Sequence, residues 1–324
     1  MAGKPKSVNG LMKHLRDNHG IAIGGGSQKR KLRNIGYFHG YKGYRFNRNP
    51  ANQIAYTDFK EILAMHEFDM ALKGIFYPQI MFIETALKNY VLEVILSQGN
   101  TDSFNDIFTN LLTEYKSHTV GSRTYKEAFK KRLNLRDRIY STITRDYSKK
   151  NVIQHYYYQD RNVPIWAIFE VISLGEFGTF FACLDTNTKL LVSASLDLNN
   201  AFNTTGKLTE DVIFALKELR NSVAHNDMIF DTRFKQANIS GALTSCLQHE
   251  TRIISINFMT IIDYLILICY ILKKFQVPKL EIRKLINNFE SISENLYRKI
   301  PFAIYSMILH TDTRGKIRAL KNYI

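Results

Sequence analysis

One run limits what this chain can become: IISINFMTIIDYLILICYIL, Ile253 to Leu272, between Arg252 and Lys273. It is long enough to cross a bilayer, yet it carries Asn257 and Asp263. A carboxylate at mid-bilayer costs roughly 2.5–3.5 kcal/mol on insertion scales. The run therefore reads as a helix buried in a helical core, which requires other helices to cover it. The chain supplies them. Apolar residues recur at helical spacing over Tyr56–Phe76 and again over Ile80–Gly99, with Tyr77-Pro78 expected to separate the two. Trp166–Leu184 follows Pro164, and a further helix is expected to open with Thr209 as its N-cap and acids in the first turn. Residues 20–28, 100–122 and 185–207 read as loops. Strand-like alternation is scarce. The expected fold class is mostly α.

Charge divides the chain more sharply than hydropathy does. Residues 1–50 hold eleven Lys/Arg and one acid, and residues 116–150 hold eleven Lys/Arg and three acids. Together they carry +18 of a net +15, so the rest of the chain is slightly acidic. Concentrated positive charge on an otherwise balanced chain points to a polyanion. In the first region cations interleave with rings: Lys29, Arg30, Lys31 and Arg33 precede Tyr37, Tyr41 and Tyr44, with Lys42, Arg45 and Arg48 among and after them. Cations that track phosphates beside flat rings that stack on unpaired bases suit single-stranded or looped RNA. In the second region Arg123, Lys126, Lys130, Lys131 and Arg132 are the expected phosphate contacts. The run His155-Tyr156-Tyr157-Tyr158 reads equally as RNA stacking or as packing.

Three lone cysteines, Cys183, Cys246 and Cys269, lack a CxxC pairing, which argues against a disulfide framework or a zinc site. The start MAGKPKSVNG is polar, with no apolar signal segment. A cytoplasmic protein without membrane attachment, metal or cofactor is expected. Gly24-Gly25-Gly26 is not a phosphate loop, because no GK[ST] follows.

The chemistry is sought in RNSVAHN, Arg220 to Asn226. Val212, Leu216, Leu219 and Val223 form the core stripe of this helix, and Asn221 and His225 share a face at i and i+4. Arg220 stands about 140° from His225 on an ideal helix, so one copy of the motif converges only roughly. Cutting RNA requires deprotonation of a 2′-hydroxyl, protonation of a leaving oxygen and stabilisation of charge on the phosphate. A histidine can serve the first two needs, an arginine the third, and an asparagine can position either. The bare spacing is equally what a solvated helix end would show.

Other stretches give the motif a context. RNSVAH resembles the R-N-x-x-x-H signature of the HEPN ribonucleases, and the surrounding chain resembles the abortive-infection phage-defence family of the Abi-D/Abi-F type. IGYFHGYKGYRF (Ile35 to Phe46) is similar to that family's "GYYRLSGY"-like segment. FIETALKNYV (Phe82 to Val91) resembles its helix with a glutamate and a following basic residue, here Glu84 and Lys88. PIWAIFEVISLGEFGTFF resembles its "P-x-W-x-x-x-E-x-x-S-x-G" stretch at Trp166, Glu170, Ser173 and Gly175. The likeness covers roughly residues 10–270. It departs at Lys88, where arginine is more usual, and leaves about 100–160 unmatched.

The resemblance implies a HEPN helical bundle over 51–275 with a basic insertion at about 100–160. A basic RNA-binding region (1–50) precedes it and a helical extension (276–324) follows. It implies a homodimeric, metal-independent endoribonuclease acting as a toxin, with Arg220, His225, Asn221 and Glu84 at its site and cellular or phage RNA, not DNA, as substrate. Some such proteins are restrained by a small structured RNA, and type VI CRISPR nucleases carry the same domain. The charge excess suggests a structured non-coding RNA bound here too. The competing expectation is a non-catalytic RNA-binding HEPN protein, either an antitoxin or a guide-RNA scaffold. Antitoxins of the nucleotidyltransferase-paired kind tend to have a tyrosine shortly after the histidine, where this chain has Met228.

Overall fold

The apolar run splits on folding. Its second half is a helix, Ile261–Lys274, in which every residue from Ile261 to Leu272 is buried. Its first half is irregular and turns through positive φ at Ser255 and Phe258. Asp263 is fully buried and neutralised: Lys316 Nζ lies 2.8 Å from one carboxylate oxygen, while the amides of Asn257 and Phe258 donate to the other. A buried acid so paired can be accommodated in a core. No helix is long and apolar enough to cross a membrane among the described residues.

The computed structural model describes residues 6–198 and 201–324. Among them fifteen α-helices account for the fold. They are α1 (Val8–His19), α2 (Gly25–Tyr37), α3 (Phe59–Gly99), α4 (Phe104–Asn110), α5 (Arg123–Asp146), α6 (Asn151–Tyr157), α7 (Ile165–Val171), α8 (Leu174–Cys183), α9 (Thr186–Ser195), α10 (Lys207–Ala224), α11 (Gly241–Thr251), α12 (Ile261–Lys274), α13 (Lys279–Tyr297), α14 (Phe302–Leu309) and α15 (Thr313–Tyr323). Two isolated bridges, Ala22 to Asp58 and Phe46 to Gln53, are the β pairings among these residues. The fold is mostly α, as the periodicity requires. The first five residues of the basic N-terminal region, and 199–200 of the expected loop 185–207, lie outside the described residues.

The axis of the molecule is α3. Asp58 and Glu61 close a capping box at its start, and it runs 41 residues, on the order of 60 Å. The expected break at Tyr77-Pro78 does not occur: Pro78 sits inside the helix. The missing amide leaves the carbonyl of Gly74 without its helical donor. Buried side chains from Phe59 to Ile95 hold both halves against their neighbours, which outweighs the local penalty. The helix packs on α13, α9, α10 and α12, with α10 wedged between α3 and α8, and α8 also carrying α5.

Four other boundaries differ from expectation, each for a local reason. The glycine run does not stay a loop, because α2 begins at Gly25. Residues 100–122 contain α4, capped by Ser103, and a short 3-10 turn at Glu114–Ser117. Ser173 and Glu176 form a capping box that divides Trp166–Leu184 into α7 and α8. Residues 185–207 contain α9, and the N-cap of α10 is Gly206, not Thr209. Gly206 holds φ 74° with the backbone of α9 against it, and a Cβ there would lie 2.5 Å from Lys189 Cβ. Thr209 is fully buried, its hydroxyl 3.0 Å from that of Ser193.

Candidate functional site

The stripe Val212, Leu216, Leu219 and Val223 is buried as its spacing requires, and it presses α10 onto the core. That fixes where the rest of the helix points. Arg220 reaches across to α3, where its Nε lies 3.4 Å from Oε2 of buried Glu84. The two atoms are close but not aligned, and neither has a hydrogen-bond partner. The other Glu84 oxygen accepts from Lys88 Nζ at 3.1 Å, and Lys88 also donates to the carbonyl of Ile172. Arg220 NH1 makes a long 3.4 Å bond to Asn221 Oδ1. The structure thus brings Arg220, Asn221 and Glu84 together, with Lys88 as the counter-charge.

Glu84, Lys88 and Arg220 form one wall of a cavity of about 480 Å³. Thr85 of α3, Arg145 of α5, Glu170 of α7, and Ser173 and Glu176 at the start of α8 complete its polar lining. Three carboxylates and three cations line it, so it offers both donors and acceptors. Arg145 was not anticipated as a site residue; its place beside Arg220 depends on α8 packing α5 against the body, which no local pattern reveals.

His225 stands apart. It is the C-cap of α10 (φ −91°, ψ 6°), its amide donates to the carbonyl of Asn221 at 2.9 Å, and it is exposed. It does not line the cavity that Arg220 borders. What holds it is the segment that follows. Asn226 takes a left-handed φ of 58°, and its Oδ1 accepts from Lys73 Nζ at 2.9 Å. Lys73 pairs with Asp69 at 2.8 Å, and Asp69 is fully buried. One Asp69 oxygen accepts from the amides of Ile229 and Phe230, at 2.8 and 2.9 Å, and the other from the Tyr44 hydroxyl at 3.3 Å. Gly43 completes the lock by close approach: a Cβ there would lie 2.6 Å from Met228 Sδ. The segment Ile35–Phe46 therefore builds the seat for the end of the RNSVAHN motif.

That seat corrects three assignments of RNA contacts. Tyr41 and Tyr44 are 2% and 0% exposed and belong to the core, so they have no face to offer a base. Arg132 is buried too: its NH2 donates to the Phe108 carbonyl and its guanidinium lies 3.8 Å over the Phe108 ring. Arg48 is half-buried, with its guanidinium donating to the Met259 carbonyl and its amide to Asp231. Arg30, Lys31 and Arg33 are exposed on α2, Lys29 is half-buried there, and Lys42 is exposed beyond it. Tyr37 and Arg45 are half-buried, Tyr37 packing towards His14 and Tyr41. On α5, Arg123, Lys126, Lys130 and Lys131 are exposed, and Arg123 pairs with Glu127 at 2.7 Å.

Two histidines border the seat. His39 and His66 lie ring to ring at 6.1 Å. Burial pushes both below the ordinary histidine value, and Lys73 pushes the same way; Asp69 opposes it at both, as Asp227 does at His39 and Glu67 at His66. The three cysteines are buried and free. Among the described residues, no three His, Cys, Asp or Glu side chains gather as a possible metal site.

Compared with known families, residues 30–231 match the one described as Abi-like protein, which is more than half of the chain. Curated proteins and solved structures give no match.

Proposed function

The chain belongs to the Abi-like protein family, and from that premise we propose that it is an endoribonuclease effector. The family suggests abortive-infection defence against phage. The finer reading, RNA cleavage at a HEPN-type site, is carried by the setting of Arg220. A buried carboxylate holds the buried Nε edge of the guanidinium at the wall of a polar cavity, while the side chain as a whole stays 27% exposed. An arginine held in this way is oriented before a phosphate arrives. His225, five residues on and exposed, supplies the proton-transferring group.

His225 does not line the cavity that Arg220 borders, so the proposal includes a homodimer that brings a second motif opposite the first. Exposed apolar side chains on the segments flanking the seat support this. Phe38 is 51% exposed beside His39, and Met70 is 42% exposed one turn before Lys73. Rings and thioethers left in water next to a catalytic motif suit a contact between copies. The basic surfaces of α2 and α5 are proposed to hold a structured RNA that controls the enzyme.

The test is cleavage of a labelled RNA in excess EDTA, with analysis of the product ends. A 2′,3′-cyclic phosphate or 3′-phosphate supports transesterification by side chains alone. Loss of cutting on chelation, restored by magnesium or manganese, overturns it. Tight RNA binding with no cutting under any condition would favour a scaffold that holds RNA.

A further inference from the structure

The run His155-Tyr156-Tyr157-Tyr158 is divided by the fold. Tyr156 is half-buried and stands edge-on to Trp166, with centroids 5.8 Å apart. Tyr157 and Tyr158 stay outside, 44% and 74% exposed. Tyr157 meets Tyr147, the residue that ends α5, edge to face at 5.5 Å, and Tyr147 is itself 41% exposed. With Ile143 and Thr144 these two rings line an open groove of about 430 Å³. Ile143 and Tyr157 also line a small cavity of about 30 Å³ with Tyr140, Asn105 and Asn162, so the open trough and that cavity share a wall. Tyr140 is 42% exposed, and its hydroxyl donates to Asn105 Oδ1 at 2.8 Å.

Rings left in water along a trough call for an occupant, and the charge of the flanking segment says which. Between residues 136 and 161 there are six Lys/Arg and three Asp, a net of +3. Lys149, Lys150, Arg138 and Arg161 are exposed, as are Asp137 and Asp160. The third acid, Asp146, is buried and held by two hydrogen bonds from Arg145. Flat ring faces within a net-basic segment fit nucleotides whose bases are unpaired. A duplex keeps its bases stacked inside and cannot use the floor of the trough.

Thr144 and Tyr147 line the trough at the end of α5, and Arg145, which stands between them in sequence, lines the cavity bordered by Arg220 on another face of the helix. We propose that the Tyr147–Tyr157 trough is a stacking site for an unpaired stretch of RNA. It supplies the base platform that buried Tyr41 and Tyr44 cannot. It rests on the RNA reading of this protein, but not on catalysis.

The experiment uses full-length protein carrying His225→Ala, so that no probe is cut, with fluorescence anisotropy on two probes: a short unstructured RNA and an RNA duplex. Tyr147→Ala with Tyr157→Ala is expected to weaken the unstructured probe roughly 5- to 150-fold for each base unstacked, and to leave the duplex unchanged. Tyr147→Phe with Tyr157→Phe retains the rings and should bind as the parent does, which separates stacking from misfolding. Equal affinity in the alanine variant, or equal loss on both probes, overturns the proposal. So does a shift from dimer to monomer with RNA affinity intact, because the trough would then be an interface between copies. Absence of cleavage by the unsubstituted protein would sink the enzymatic reading and leave this one standing.

Discussion

Oε2 of Glu84 lies 3.4 Å from Nε of Arg220 without a hydrogen bond between them. The pair is held by charge and by the packing of α3 on α10, and it fixes where the guanidinium can go. Glu84→Gln keeps the shape and removes the charge. The expected result is a folded protein whose RNA cleavage falls on the order of 10²-fold, because a reacting group displaced by about 1 Å costs that much. Circular dichroism and single-turnover rates, measured together, check it. A rate equal to the parent's would mean that Arg220 needs no anchor.

Arg220→Ala and His225→Ala should each abolish cleavage and cellular toxicity, since each removes a group worth about 10²–10⁴ in rate. Neither should unfold the protein: His225 is exposed and the Arg220 side chain is 27% exposed. Equimolar mixing of the two variants is the sharper measurement. If one protomer supplies Arg220 to the other's His225, random mixing restores about a quarter of the activity, because half of the dimers are mixed and each has one intact site. A strictly monomeric active enzyme in sedimentation would overturn the shared site.

Asp69→Ala is expected to be far more damaging than its distance from the chemistry suggests. The carboxylate neutralises Lys73 and accepts from the amides of Ile229 and Phe230, all at the buried seat of the motif. Removing one partner of such a pair leaves a buried charge uncompensated and costs about 3–5 kcal/mol. Urea unfolding should show the loss as a lower midpoint with an unchanged slope. The double change Asp69→Ala with Lys73→Met should recover part of it, because the stranded ammonium is gone.

The stripe of α10 was legible in sequence because it depends on spacing within one helix. The buried helix at Ile261–Lys274 was half legible: its apolar pattern signalled burial, but the turns at Ser255 and Phe258 depend on tertiary fit. Tyr41 and Tyr44 were misread because interleaving with cations looks the same whether a ring faces water or the core. Tyr44 reaches Asp69 and packs on Phe230, 25 and 186 positions away along the chain, and Tyr41 packs on His19, 22 positions before it. Arg132 was misread for a like reason, since it falls on the inner face of α5 among Ala128, Leu135 and Ile139. Pro78 shows the reverse case, a strong local signal overruled by packing along α3.

The exposed cations make a distinct forecast. Replacing Arg30, Lys31 and Arg33 with glutamine should weaken binding of structured RNA of any sequence, because these side chains would meet phosphates. If about six to ten phosphates are neutralised in all, affinity should fall on the order of 10³–10⁵-fold from about 50 to 200 mM salt, and the variant should show a shallower slope. Tyr44→Ala should instead act on stability, costing about 3–5 kcal/mol as a large buried ring removed from the core. Filter binding across a salt series, set beside thermal melts, tells the two kinds of effect apart. An unchanged salt slope in the triple variant would move the platform wholly to α5.

Acid should loosen the seat of the motif before the rest of the fold. His39 and His66 are both held below the ordinary 6.5 by burial, with Lys73 adding repulsion against the opposing pull of Asp69. A histidine lowered in the folded state binds fewer protons there than in the unfolded chain. Its contribution is therefore fully present above the ordinary value and is lost as pH falls through the folded one. The urea midpoint should be higher near about pH 7.5 than near about pH 5.5, and His39→Gln with His66→Gln should flatten that rise. Protonation puts new positive charge beside Lys73, whose ammonium reaches both Asp69 and Asn226. The first amides to lose protection from hydrogen exchange in acid should therefore be those of Ile229 and Phe230, which depend on Asp69. Uniform loss of protection across α3, α10 and α12 at the same pH would show that the histidines act on the whole fold and not on the seat that carries His225.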